Sequence, residues 1–190
     1  MKKDPFSDIG MARMVIEQLN TKKPFENKFE LSGLEDSKKI KVSSIILYAL
    51  KYLVTDHPQE GQKSLFTYWD GDKTAFNNKD MSVLDDYISF CTTILSTYFS
   101  AVSKVFTDQW NSETKLLSIV SINGFIIALT RQISKDTLEV EYEYYYNHIS
   151  KMKIDFTKDS FGYSGSQYRK FSDQILCEAF DWSDDEISIK

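Results

Sequence analysis

Residues 82–106 read SVLDDYISFCTTILSTYFSAVSKVF, and the fold class turns on them. Leu84, Tyr87, Ile88, Cys91, Ile94, Leu95, Tyr98, Val102 and Val105 recur at helical spacing and fall on one face. Ser82 stands where a helix cap is wanted, so the pattern predicts a helix from about Val83 to Phe106. At 1.5 Å per residue it would be roughly 35 Å long, about one domain diameter. Such a helix is expected to be the central strut of the molecule.

Working outward toward the N-terminus, Ser43 and Ser44 open SIILYALKYLV, which is apolar almost all round and predicts a buried helix. Before it, KFEL (28–31) and KIKV (39–42) alternate charged and apolar residues, and the turn-rich SGLEDSK lies between them. That pattern predicts a small β-hairpin. Ser7 can cap a first helix through Ile9, Ala12, Val15, Ile16 and Leu19, with Asp8 at its positive end. Residues 55–80 are polar and weakly periodic, so they are expected to form a loop with one short element around Leu65 to Trp69.

Toward the C-terminus, Ser112 is the expected cap of a segment through SETKLLSIV, and SINGFIIALTRQI predicts another largely apolar helix. The stretch 137–152 is ambiguous: EVEYEY alternates like a strand, while its length tilts the reading to helix. KIDF (153–156) is expected to be extended. SGSQYRKFSDQILCEAF predicts a last helix, capped by Ser164 or Ser166. The tail DWSDDEISIK carries four acids and one lysine and is expected to fray. The sequence therefore predicts a mainly α, compact multi-helix domain over residues 1–180, with six or seven helices and one small β-hairpin, followed by an acidic tail at 181–190.

Composition narrows the function classes. With 42% hydrophobic and 27% charged residues in 190, the chain is globular and can bury a core. A formal net charge of −5 argues against bulk affinity for nucleic acid, although a local basic patch remains compatible with it. No apolar run approaches the ~20 residues a membrane span needs, so no membrane partner is expected. Cys91 and Cys177 lie far apart in helical patterns, as buried free thiols of a reducing cytoplasm would.

Local motifs for chemistry are sparse. His57, His148 and the two cysteines show no CxxC or HExxH spacing, so no metal is expected. The DGD at 70–72 begins like a calcium loop, but the later glutamate is absent. No GxSxG elbow occurs, and no self-contained catalytic motif or cofactor signature is present. One polar stretch, FGYSGSQYRKF (161–171), can serve as an anion cradle. Ser164, Gly165, Ser166 and Gln167 lead into Arg169 and Lys170 at a helix start, where backbone amides and the helix dipole favour phosphate. The competing reading is a glycine turn with a serine cap. Tyr142, Tyr144, Tyr145 and Tyr146 form either core plus amphipathic surface or a partner-binding face.

Three segments in order, 39–53, 95–133 and 153–171, resemble the C-terminal half of DGQHR-domain proteins, a family that includes a regulator of DNA phosphorothioation. The residues that carry the resemblance are Tyr98, Phe99, Ala101, Val102, Val105, Phe106, Trp110, Gly124, Phe125 and Leu129. It extends over roughly residues 5 to 175. The DGQHR motif is not in these 190 residues; in the family it lies in an upstream ParB-like α/β domain. The resemblance implies a helical module in a bacterial DNA-modification, defence or mobile-element system. Its partner would be DNA, bound weakly and salt-sensitively, or a ParB-like DGQHR domain or other protein. A nucleotide-binding or enzymatic subunit completed by that domain, and a structural docking scaffold, are the alternatives.

Overall fold

A computed structural model of the protein describes residues 4–31 and 39–188. Its elements in chain order are α1 (Asp8–Leu19), β1 (Phe29–Glu30), β2 (Ile40–Lys41), α2 (Val42–Ile45), a π-helical turn (Ile46–Leu50), α3 (Lys51–Val54), α4 (Leu65–Tyr68), α5 (Lys73–Asn77), α6 (Met81–Val105), a 3-10 turn (Thr107–Gln109), α7 (Ile119–Lys135), α8 (Tyr142–Ile149), α9 (Tyr168–Phe180) and α10 (Asp184–Ser188). Taken as one continuous stretch, 42–54 brings the helices of seven or more residues to six among the described residues. The mainly helical fold with a small two-stranded sheet is as the sequence predicts.

The apolar stripe of α6 is buried along its length, from Leu84 to Val102. Its cap is Asp80 rather than Ser82: the Asp80 carboxylate accepts from the Ser82 amide at 2.9 Å and from the Ser82 hydroxyl at 2.8 Å. A carboxylate is the better acceptor at the positive end of a helix, and Ser82 becomes its donor. α6 is one of two hubs rather than a sole strut. It gathers α1, α5 and α8, while α7 gathers the 42–54 stretch and α9. The hubs meet through large rings. Phe125 of α7 lies 6.2 Å from Tyr98 and 6.1 Å from Phe99, and the buried Tyr98 hydroxyl donates to the Phe125 carbonyl.

Those bridging rings account for the apolar residues that recur between 98 and 129. Tyr98, Phe99, Ala101, Val102, Phe106, Phe125 and Leu129 are all buried, and Trp110 packs on Phe25 while its indole donates to the Pro24 carbonyl. The pattern thus records how the helices pack.

Several local expectations differ. The two extended segments pair in parallel, Phe29 with Ile40 and Glu30 with Lys41, so they are not a hairpin. Alternation at period two marks strand but carries no direction. The expected turn at 32–38 lies outside the described residues. Ser112 caps nothing. Residues 111–118 run through turns, and α7 is capped by Ser118, whose hydroxyl accepts from the Ser121 amide. The 55–80 region holds α5 as well as α4, and Asp72 of the DGD caps α5 through the Ala75 amide. KIDF is irregular but pinned, with the Phe156 amide donating to Gln109 and the Phe156 carbonyl accepting from the Lys115 amide. Cys91 is buried and its thiol pushed up to about 12; Cys177 is half-buried, and both are free.

The acidic tail is docked rather than frayed through Ser188. Asp181 adopts a left-handed conformation (φ 57°) that ends α9. Trp182 then lies under Arg131 and Lys135 of α7, with its indole donating to Gln132 at 2.7 Å. Lys135 pairs with Glu186, and Arg131 donates to the Ile187 carbonyl. Glu186 of the tail thus meets the basic last turn of α7, while Asp181 pairs with Lys151. No helix among the described residues is long and apolar enough to cross a membrane.

Candidate nucleic-acid interface

The FGYSGSQYRKF stretch is folded by its aromatic residues. Phe161 stacks on Phe156 at 5.3 Å, and both Phe161 and Tyr163 pack on Phe171 at 5.3 Å. The Tyr163 hydroxyl donates to Gln174. With the rings turned inward, the small polar residues between them are turned outward. Gly165 has φ +55°, a conformation that favours glycine, and space around it is open. Gln167 closes the turn: its side-chain oxygen accepts from the Ser164 amide at 2.9 Å, and its own amide donates to the Ser164 carbonyl at 3.1 Å.

Neither serine caps the helix. Gln167 occupies the cap position of α9 without a side-chain hydrogen bond to the amides of the helix, which corrects the expected Ser164 or Ser166 cap. Gln167 has taken Ser164's backbone instead. The amides of the first turn of α9 therefore keep their outward hydrogen-bonding capacity. Ser164, Gly165, Ser166, Arg169 and Lys170 are all exposed. Arg13, Lys79, Arg131, Lys135 and Lys151 each pair with an acid. Arg169 and Lys170 make no ion pair among the described residues.

One residue of this surface was not legible in the sequence. Tyr48, in the π-helical turn, stacks on Tyr168 with ring centroids 5.9 Å apart and planes 22° apart. It is 52% exposed. Its neighbours Leu47 and Tyr52 are also exposed, with Lys51 over the Tyr52 ring at 4.7 Å. π-helical turns concentrate at functional sites, but a π turn has no sequence signature that would have marked Tyr48.

The four candidate tyrosines of α8 separate. Tyr145 is buried against Tyr98, its hydroxyl donating to the Glu139 carbonyl, and burial pushes that hydroxyl well up. It cannot belong to a partner face. Tyr144 is half-buried beside His148 and Phe180. Tyr142 and Tyr146 stack on each other at 5.9 Å and stay half-exposed. Tyr144 reaches α9 at its last residue, Phe180, while Arg169 lies on its first turn. The two candidate surfaces thus sit at opposite ends of α9, about 16 Å apart along the axis. No protein-family model matches the chain, and neither a curated protein nor a solved structure matches it.

Proposed function

We propose that the chain is a non-enzymatic module of a DGQHR-type protein that contacts DNA through the start of α9. The observation that carries this reading is the exposed Arg169–Lys170 pair, without an acidic partner among the described residues, on a helix start that no side chain caps. The hydroxyls of Ser164 and Ser166 extend the donors, and Gln167 holds the turn in shape. Donors of this kind grip phosphate oxygens and position a protein on DNA without reading sequence. The family-like pattern of residues 39–171 supports a bacterial DNA-modification, defence or mobile-element setting. Two shallow surface concavities among the described residues lie elsewhere, one over Met14, Glu17, Gln18 and Thr21 and the other between Glu26, Lys39 and Trp110.

Two cations release few counterions. With two phosphates neutralised the salt slope is about −1.8, so affinity falls roughly tenfold between 50 and 200 mM salt. Fluorescence anisotropy of a labelled duplex tests this. The wild-type chain should bind at low salt with that slope, and Arg169→Ala/Lys170→Ala should lose most of the binding. Equal binding by wild type and the double variant would overturn the reading.

A second reading rests on a separate observation. Leu47, Tyr48 and Tyr52 are three of six exposed large apolar residues among the described residues and lie on one short stretch. They suit docking of a protein, such as a ParB-like DGQHR domain. Tyr48→Ser/Tyr52→Ser should abolish capture of that domain while leaving duplex binding through Arg169 and Lys170 in place.

A further inference from the structure

The fold brings a residue of the first helix against an adjacent pair nearly fifty positions later. Asp8 opens α1, and Asp56 and His57 follow Thr55, the residue after α3. One ligand-competent atom from each lies within 4.8 Å of the others. His57 Nε2 stands 3.6 Å from Asp8 Oδ2, and His57 Nδ1 stands 2.6 Å from Asp56 Oδ1. Two ligands of one tetrahedral zinc ion, each ~2.0–2.2 Å from it, are roughly 3.3 Å apart. The Asp8–His57 separation is close to that. A carboxylate on the far ring nitrogen is the arrangement that orients an imidazole ligand and raises its basicity.

An independent observation points the same way. The other oxygen of Asp8, Oδ1, is out of solvent and has no hydrogen-bond partner among the described residues. The Asp8 side chain as a whole is 30% exposed, so an ion can reach its carboxylate and offset the cost of the oxygen left without a partner. The supports are also fixed. Ser7 caps α1 through the Gly10 amide and donates to the Asp4 carbonyl, so Asp8 is held in place. A Cβ on Gly10 would stand 2.2 Å from the Asp4 carbonyl oxygen, a measure of how closely residues 4–5 wrap that first turn. On the other side, Thr55 accepts at its side chain from the His57 amide and at its carbonyl from Ser64.

We propose that Asp8 and His57 bind a divalent transition-metal ion, with Asp56 orienting the imidazole. An imidazole with carboxylates suits zinc and its neighbours and gives no advantage to magnesium, which prefers oxygen alone. Two direct protein ligands leave coordination positions for water or for an external anion, so the site is open rather than sealed.

Titration calorimetry of the metal-stripped chain with zinc chloride tests the site, with magnesium chloride as the control. One zinc per chain is expected, without magnesium competition. His57 has a 74% exposed side chain, so His57→Gln should fold normally and abolish the event. Asp56→Asn should weaken it about 10–100-fold, as loss of an orienting carboxylate does. The proposal is overturned if no zinc binds, or if His57→Gln binds as wild type, which would place the ion on another group such as Cys177 or His148. Retention of full affinity by Asp56→Asn would equally remove the orienting role.

Discussion

Gly124→Ala should destabilise the protein, although alanine is the better helix former. Gly124 lies in the interior of α7, where replacing glycine with alanine ordinarily stabilises by about 1 kcal/mol. Here a Cβ would stand 2.4 Å from Phe171 Cδ1 and 3.2 Å from Cε1 and Cγ. Carbon atoms rest at about 3.5–4.0 Å, so the ring would have to retreat by more than ~1 Å. It has nowhere to go. Phe171 is fully buried and ringed by Phe125, Phe156, Phe161 and Tyr163, with centroids 5.3 to 5.9 Å away. Overpacking of this kind costs about 1–3 kcal/mol, and with a ring this closely hemmed in the cost falls in the upper part of that range, which leaves a net loss of up to about 2 kcal/mol after the propensity gain. At a urea dependence of about 2–3 kcal/mol per molar, the unfolding midpoint should drop by roughly 0.5 M. Phe171→Leu removes ring atoms, so Gly124→Ala should cost less in that background, and a double-mutant cycle reads the difference. A Gly124→Ala variant as stable as wild type, or more so, would refute the close approach of α7 and α9. Phe171 lies two residues beyond Arg169, so the same variant should also disturb the α9 start and weaken duplex binding.

Three further outcomes follow from particular contacts. Lys135, with the amide and hydroxyl of Ser183, holds the Glu186 carboxyl down at about 2 against an ordinary 4.5. The stabilisation is therefore full above pH 4.5 and is lost as the pH falls toward 2; the gap in melting temperature between wild type and Glu186→Gln should shrink between pH 6 and pH 3, and a constant gap would contradict the pairing. Asn123 is fully buried with neither side-chain atom hydrogen-bonded among the described residues. Asn123→Leu, which keeps the branching of the side chain and replaces its two polar atoms with methyl groups, should stabilise by about 1–3 kcal/mol in urea unfolding, and a loss shared by the smaller Asn123→Ala would mean that the amide has a bonding partner. Tyr87→Phe removes the 2.7 Å hydrogen bond to the Val54 carbonyl inside the core and should lower stability by about 1–3 kcal/mol; an unchanged urea midpoint would show that the bond contributes nothing.

Much of the candidate site was legible because its parts are contiguous. Ser164 to Lys170 are neighbours in the chain, and a glycine-serine turn before a basic helix start is a local pattern. A serine cap is the local expectation, but the turn seated by Phe161, Tyr163 and Phe171 turns the Gln167 side chain back to the Ser164 amide and leaves the amides of α9 without a side-chain cap. The tyrosines at 142–146 were divisible only once the phase of α8 was known, since a short helix with rings on every side has no clear apolar stripe. Tyr48 against Tyr168, and Asp8 against the Asp56–His57 pair, have no sequence signature, because each joins residues far apart in the chain.

The sequence by itself determined the helices, through apolar residues repeating at the period of a helix turn. That signal depends only on neighbours three and four positions apart, so α1, α6, α7 and α9 are legible without any partner. The tertiary structure alone decided the parallel sense of the 29–30 and 40–41 pairing, because alternation has no direction. It alone decided that α6 and α7 share the core as two hubs, because which stripe meets which depends on ring sizes at their contact. It alone seated the acidic tail, since Trp182 and Glu186 gain a place only where α7 presents Arg131, Gln132 and Lys135 together. Contacts between residues distant in the chain are set by where the helices lie in space, and periodicity does not record that.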